Sequence, residues 1–490
     1  MFTARGSSVG PSGADPRATR RRAVLAAALA TASLLGATTV RAFDTEANVN
    51  DVRDLPDPSP NFGECESTAG TCTLRAAIMR ANKRTGQHVI RVPAGTYTLT
   101  RAGREEDDAE TGDLDVRRNT AILGAGAGVT IVDAAGIDRV FDLSGKRNIT
   151  LKDLTIRGGD AESVDFTGRQ GGGVRIGEFN DGNGNVKLIR VVIEGNFANG
   201  SGAGIHARGL KSLRIERSAI VDNFLDATTG AFGLAVLIEN SALAIADSTL
   251  SGNAANPANL GATMVVGLFG NAQATIRRST IVGAANHQLI AHTSGGTATA
   301  DIGSTILQGG STACSRGGSP PALVIFDSGN NIESGDTCGL LAFKGNLVGT
   351  SAELGTLVHS GGTAFHVPGA SSPAIDHVPG TACGASTDQR GLPRPRPGAP
   401  GALASCDVGA IEVQGRRGEP GVIAAQAAVR RAGDPLDLTY SWRVPDGGTW
   451  RDLATLDLRL VEDGRVVFWL RWFENGDRFV ELSASGAPVH

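Results

Sequence analysis

Residues 149–310 repeat one phrase: ITLKDLTIRGG at 149–159, VKLIRVVIEGN at 186–196, LRIERSAIVDN at 213–223, LAIADSTLSGN at 243–253, ATIRRSTIVGA at 274–284 and, more weakly, ADIGSTILQGG at 300–310. Aligned on its second apolar anchor, the phrase recurs at Ile156, Ile193, Ile220, Leu250, Ile281 and Ile306, with spacings of 37, 27, 30, 31 and 25 residues. Self-similarity at such a period marks a solenoid. Each phrase alternates apolar and polar residues, the pattern of a strand buried on one face. A second strand signal follows a Gly-rich corner in each copy: GGGV at 171–174, GAGI at 202–205, FGLAV at 232–236 and GATMVV at 261–266. Two or more strands per repeat, stacked coil on coil, predict an all-β chain folded as a right-handed parallel β-helix.

The polar positions of the repeat carry their own expectations. Asn196, Asn223 and Asn253 each follow the second anchor by three residues, where an Asn in the left-handed region can turn the chain and bond to its counterpart one coil on. Two residues after each first anchor come Asp153, Arg190, Arg217, Asp247 and Arg278, a stripe predicted to stack about 4.8 Å apart on the outside. Arg190 and Arg217 would repel as neighbours unless an anion lay across them, so an acidic glycan is one ligand to test. A second stripe places Arg175 beside His206, each one residue past its Gly-rich corner. The alternative for both stripes is a solvated face of mixed charge.

Outside the ladder the chain divides into four further parts. Residues 1–42 carry Arg20, Arg21 and Arg22, the apolar run 23–40 and Val40-Arg41-Ala42. That order reads as an export signal cut after Ala42, compatible with the Sec or the twin-arginine route. The run is short and rich in Ala, Thr and Gly for a spanning helix, and no second apolar run of spanning length follows. The expected location is therefore outside the cytoplasm: secreted, periplasmic or at the cell surface. Six Arg and one Asp lie in 1–42, so the net charge of -4 becomes about -9 without that segment. A general nucleic-acid binder would need a basic footprint.

Residues 43–92 hold a polar leading segment, then Leu74, Ile78 and Ala81 at helical spacing, predicting a short amphipathic helix that covers the open first coil. The coils proper run over 93–310. Residues 311–413 turn Gly-, Ser- and Pro-rich and read as terminal coils. The tail, 414–490, contains all four tryptophans, Trp442, Trp450, Trp469 and Trp472. Its strands at 453–461, 465–473 and 477–484, joined at Glu462-Asp-Gly and Glu474-Asn-Gly, predict a small antiparallel sheet. The six cysteines suit an oxidising compartment. Their order suggests Cys65–Cys72, Cys314–Cys338 and Cys383–Cys406, among fifteen possible connectivities.

Two stretches resemble known bacterial exported proteins. Cys65 to Asn82, with CTLRAA at 72–77, resembles the CSLREA-type N-terminal motif, the Glu of which is Ala76 here. Gly112-Asp-Leu-Asp115, Arg139-Val-Phe141 and Gly171-Gly-Gly-Val174 are further phrases of that kind. Ser372-Pro-Ala-Ile-Asp376, Asp388-Gln-Arg-Gly-Leu-Pro-Arg394 and Cys406-Asp-Val-Gly-Ala-Ile-Glu412 resemble the choice-of-anchor Q domain, with His377-Val378 and Ile411 departing from its pattern. The resemblance spans 65–412 and implies an exported β-helix.

Chemistry is less legible. A uronate lyase or epimerase needs a base near C5 and cations on the carboxylate, for which His206, Arg175 and Arg208 are the nearest set. A hydrolase needs two carboxylates facing one cleft, and Asp160 with Asp165 is the available pair. Asp181, Asn183 and Asn185 have the oxygen spacing that opens a calcium loop without the residues that close it. The acidic run Glu105, Glu106, Asp107, Asp108, Glu110, Asp113 and Asp115 is the other place for calcium, the one cofactor considered. Trp and Tyr, on which sugar rings stack, are nearly absent from the coils. The reading is a monomeric surface or secreted β-helix with a binding, adhesive or structural role toward polysaccharide. Arg175, His206, Arg190 and Arg217, with Trp469 and Trp472 of the tail, are its ligand-binding candidates. The alternative is a lyase or epimerase on acidic polysaccharide.

Overall fold

The computed structural model describes residues 45–413 apart from 105, 163–167, 178–181, 183, 227–231, 257–262, 285–286, 293–294, 310–311, 316–321, 370 and 396–404. Beyond 413 it describes 419–425, 438–443, 455–462, 465–473, 478–483 and 488–489. The proposed export signal lies outside these residues.

The chain is a parallel β-helix. One complete coil shows how the repeat makes it. Ser212–Glu216 and Ala219–Val221 lie in the long sheet, Phe224–Leu225 in a narrow four-stranded sheet, and Val236–Glu239 in an eight-stranded one. The next coil resumes at Ala242–Ala246, directly beside Ser212–Glu216 in parallel register. The anchors stack as expected: Leu151, Leu188, Ile215, Ile245, Ile276 and Ile302 in one file, Ile156, Ile193, Ile220, Leu250 and Ile281 in the other. All are buried in one continuous core, and each such side chain taken from water contributes roughly 1.5–3 kcal/mol. The last anchor differs from the sequence alignment by one residue. Leu307 pairs with Ile281, while Ile306 pairs with Thr280 on the outside. Because 306 and 307 are both apolar, alternation alone does not fix which points inward.

The Asn file bonds from coil to coil as expected, but it does not make the left-handed turn. The left-handed residues after the second anchor are Gly195, Asp222 and Gly252, with φ of +60°, +55° and +68°. The Asn that follows each is buried and turned inward. Asn196 Nδ2 donates to Asn223 Oδ1 at 2.9 Å, and Asn223 Nδ2 to Asn253 Oδ1 at 2.9 Å. A second internal file runs Ser218, Ser248, Ser279, Thr305, Asn331, Asn346, each side-chain oxygen accepting the backbone N–H of the corner one coil before. These ladders satisfy the backbone groups that a bend in a parallel sheet would otherwise strand in the core.

The ladder continues past 310, with Ile332–Glu333 and Leu347–Val348 stacking on Ile306–Gly309. The chain then folds back. An antiparallel hairpin, Leu354–Ser360 with Thr363–Pro368, lays Leu357 and Ala364 on the outward Val192, Ala219 and Val221. Residues 388–394 and 405–412 extend this strap along the same face. Thr249 donates to Gln389 Oε1 at 2.6 Å, the Ala410 N–H to Thr280 Oγ1 at 3.1 Å, and the Gly409 N–H to Ser304 O at 2.9 Å. Gly409 has φ +95°, and a Cβ there would lie 2.7 Å from Ile306 Cδ1, so no other residue fits so close to the ladder.

At the N-terminal end, helix α1 (Leu74–Asn82) is capped by Thr73, whose Oγ1 accepts the Ala76 N–H at 3.1 Å. It is not the half-exposed amphipathic helix that its spacing suggests. All nine residues are buried, Arg75 and Arg80 included. Arg75 bonds to Asp54 Oδ1 at 2.5 Å and donates to the carbonyls of Ala109, Thr111, Gly112 and Asp113. The leading segment and the 109–113 loop therefore cover the face that solvent would have taken.

The three disulfides are Cys65–Cys72, Cys314–Cys338 and Cys383–Cys406, in keeping with an oxidising compartment. Among the described residues no helix is long and apolar enough to cross a membrane. In the tail, Thr455–Glu462, Arg465–Phe473 and Arg478–Leu482 form a three-stranded antiparallel sheet. The strands at Glu419–Ala425 and Leu438–Arg443 form a further pair.

Candidate functional site

The eight-stranded sheet carries the stripe that holds Arg175 and His206. Its register aligns Asp115, Asp142, Arg175, His206 and Leu237 across successive coils. The predicted adjacency of Arg175 and His206 is present, and His206 stands on the outer side of its strand between the core residues Ile205 and Ala207, but it is covered there, at 1% exposure. Each candidate catalytic side chain is bound to a carboxylate of the protein itself. Arg175 Nε lies 2.7 Å from Asp142 Oδ2. His206 Nε2 lies 3.2 Å from Glu239 Oε1, and Arg208 is 2.8 Å from Glu239 Oε2. Burial lowers the His206 pKa, with the Glu239 contact opposing it. Burial pushes Glu239 up, but the His206 bond and Arg208 outweigh it and hold the carboxyl low.

Around this stripe lies a buried ionic cluster in which the carboxylates Asp113, Asp115, Asp138 and Asp142 face the guanidiniums of Arg117, Arg139 and Arg175. Asp107, Asp115 and Asp142 place ligand atoms within 4.8 Å of one another. The Arg117 guanidinium bonds to all three, so the positive charge a cation would bring there is supplied by the chain. Four buried carboxylates face three guanidiniums, so the cations do not fully offset the burial of the acids. Burial, with Asp142 and Asp138 adding to it against Arg139, pushes Asp113 up to about 8. Burial with Asp113 and Asp142 pushes Asp115 up to about 9. Against burial, Arg175, Arg117 and Arg139 hold Asp142 low.

This sets the sign of a pH effect. With a raised pKa, the folded state keeps a proton that the unfolded chain releases near pH 4. Its stabilisation is complete below about pH 4 and declines as pH rises through about 8. Asp113→Asn removes the excess carboxylate. Thermal melts from pH 4 to 9 should show wild type losing stability relative to D113N as pH rises. A constant difference across that range would mean that Asp113 is ionised in the fold.

The other stripe has a different role from the one expected. Asp153, Arg190, Arg217, Asp247 and Arg278 all have φ between +46° and +58° and form the left-handed corner of the long sheet. The charges pair instead of awaiting an anion: Arg190 with Asp153 at 2.5 Å, Arg278 with Asp247 at 2.8 Å. Arg217 has no ion-pair partner among the described residues. The file is thus of mixed charge, the alternative given for it above.

The calcium-loop residues Asp181 and Asn183 lie outside the described residues, as do Glu105 and Asp165. Asn185 belongs to a surface ladder, donating to Asn148 Oδ1 at 2.8 Å and accepting from Ser212. Asp160 accepts the Glu162 N–H, and its backbone carbonyl accepts from Arg104. Trp469 and Trp472 are both half-buried. Three residues apart on one strand, they face opposite sides of the tail sheet. Trp469 carries the Arg471 guanidinium 5.4 Å from its ring centre.

Sequence reading missed a groove at the tip of the strap hairpin. Two adjoining hollows of about 340 Å³ each share Arg157 and Glu194. One is completed by Asp133 and Asp222, the other by the floor of Ile131, Thr155 and Val192 with the tip His359–Thr363. Arg157 Nε lies 2.9 Å from Asp133, and the His359 ring stands 3.6 Å from both Glu194 Oε2 and Asp222 Oδ2. Arg157 and Glu194 each follow the second anchor by one residue. That outward file was a legible signal, whereas His359 is brought in by the fold-back.

No family model and no curated protein matches the sequence. Two solved structures are similar in part. The A-module of the mannuronan C-5 epimerase AlgE4 of Azotobacter vinelandii is 15% identical, over 54% of this chain and 78% of that one, with a TM-score of 0.27. The catalytic domain of a GH87 alpha-1,3-glucanase in complex with nigerose is 14% identical, over 56% of this chain and 69% of that one, with a TM-score of 0.17. The parallel β-helix assignment stands on the coil register above, independently of either.

Proposed function

We propose that the protein is an exported β-helix that binds polysaccharide at or outside the cell surface without turning it over. The observation that carries this reading is the engagement of Arg175, His206 and Arg208 by Asp142 and Glu239. A lyase or epimerase site needs cations free to meet a uronate and a base open to its proton. Here the cations answer the chain's own carboxylates, and the imidazole is buried.

The export signal and the two terminal phrases that resemble exported β-helix proteins support a location outside the cytoplasm. The test is incubation of the mature protein with neutral, amino and uronic polymers, with and without calcium. Products and retention are both followed. Retention without unsaturated products or chain shortening is the expected result. Turnover abolished by His206→Ala or Arg175→Ala would establish an enzyme instead.

A further inference from the structure

We infer that the groove at the hairpin tip is the glycan-binding site, and that it selects neutral or amino sugars over uronates. The inference rests on the polysaccharide-binding reading above and gives it a place and a ligand chemistry.

The charge balance decides the class. Asp133, Glu194 and Asp222 offer three carboxylates to the groove, against one guanidinium and one imidazole. Arg157 is already committed to Asp133 at 2.9 Å. The 3.6 Å separations leave His359 short of a firm hydrogen bond to either Glu194 or Asp222, so carboxylate lone pairs remain to be filled. The groove is net negative whether or not the imidazole is protonated. A polymer with a carboxylate on each ring would be repelled, whereas hydroxyl or ammonium hydrogens would complete the acceptors. Of the floor residues only Ile131 is half-exposed, since Thr155 and Val192 are buried under the hairpin, so the groove offers a ring a narrow apolar edge, and the volume falls within the about 300–1,000 Å³ of ligand sites.

The groove is built rather than incidental. Its far wall is the turn at Gly361 and Gly362, and a Cβ on Gly362 would come 1.9 Å from Ala127 O. The hairpin tip is therefore seated at closest approach on the 125–129 loop, which fixes the width. The opening also lies where the strap ends. Beyond it the outward files continue bare, through Ile131 and Asp133 to Thr96 and Thr98, which are exposed. A linear chain can follow these files from coil to coil, at about 4.8 Å per coil.

Binding should be measured by affinity electrophoresis of the mature protein in gels containing a neutral glucan, chitosan or polygalacturonate. Wild type should be retarded by the first or second and not by the third. Glu194→Gln with Asp222→Asn keeps side-chain shape and should weaken retardation at least tenfold. Ser360→Trp, which fills the groove sterically, should do the same, and Lys211→Ala, an exposed position outside the groove, should not. Melting temperatures of each variant establish that the fold is kept. Retardation unchanged in both groove variants would overturn this assignment while leaving glycan binding intact elsewhere on the protein. Preference for polygalacturonate would overturn the ligand class. No retardation by any polymer would overturn both this inference and the reading on which it rests.

Discussion

Arg75→Met is expected to destabilise the N-terminal coils by about 3–5 kcal/mol, the scale of removing one partner from a buried ion pair. The Arg75 side chain is 0% exposed and that of Asp54 2%. Asp54 also accepts the N–H groups of Thr100 and Arg101 at 2.7 and 3.1 Å, so the pair ties three chain segments to α1. Methionine fills the space of the stem but leaves the Asp54 charge without a counter-ion and four carbonyls without their donor. Lysine should not rescue, because one ammonium lacks the planar fork that reaches Asp54 and the 109–113 carbonyls together. A solenoid transmits stability mainly between neighbouring repeats. The loss should therefore appear in hydrogen exchange over 45–116 before the central coils are affected. Adding Asp54→Asn to R75M should recover part of the loss, because it removes the stranded charge. Equal protection in wild type and R75M would mean that the pair contributes nothing net.

The arginine at issue lies in the CTLRAA phrase, and its case shows what was legible in the sequence and what was not. The coil anchors could be read because burial alternates along each strand and returns at every repeat. The tail hairpins could be read because Asp-Gly and Asn-Gly turns act locally. Burial of α1 could not, since its cover comes from residues 54 and 109–113, which are near α1 only after the first coil closes. The left-handed corner at Asp153, Arg190, Arg217, Asp247 and Arg278 was hidden by residue type. Left-handed corners favour Gly or Asn, so the regular spacing of charged residues suggested a ligand stripe. The Asn file was read one position off for the same reason: Asp222 makes the turn that Asn223 was expected to make. The groove needed Glu194 and Asp222 from the ladder to meet His359 from a hairpin well over a hundred residues later. No local periodicity encodes that meeting. What fixes it is the strap, and the strap depends on a second buried arginine.

Arg394→Met is expected to cost about 3–5 kcal/mol in the strap, by the same argument of a stranded buried charge. The side chains of Arg394 and Glu412 are both 0% exposed, with Nε 3.0 Å from Oε2. Arg394 also donates to Gly409 O at 3.0 Å and lies 3.7 Å from Asp247. That last contact joins the strap to a ladder corner already shared with Arg278. Asp388 sits beneath the same knot, held by Arg390 at 2.6 Å and accepting the Glu412 N–H at 3.1 Å. With Arg394 gone, Glu412 and Asp407 are left close together without a cation. Burial and Glu412 already push the Asp407 carboxyl up to about 7. The cheapest relief is release of 388–412, and with it the hairpin whose Thr363 and Ala364 are bonded by Gln389. Release would uncover Val192, Ala219, Val221 and Ile306, an apolar patch of the kind that folded surfaces rarely leave open. R394M should therefore become sensitive to limited proteolysis between 352 and 412 and bind a hydrophobic dye while the central coils remain protected. It should also lose the groove, because His359 and Ser360 leave with the hairpin. Pairing R394M with Glu412→Gln should restore part of the protease resistance, which a purely steric role for Arg394 does not predict.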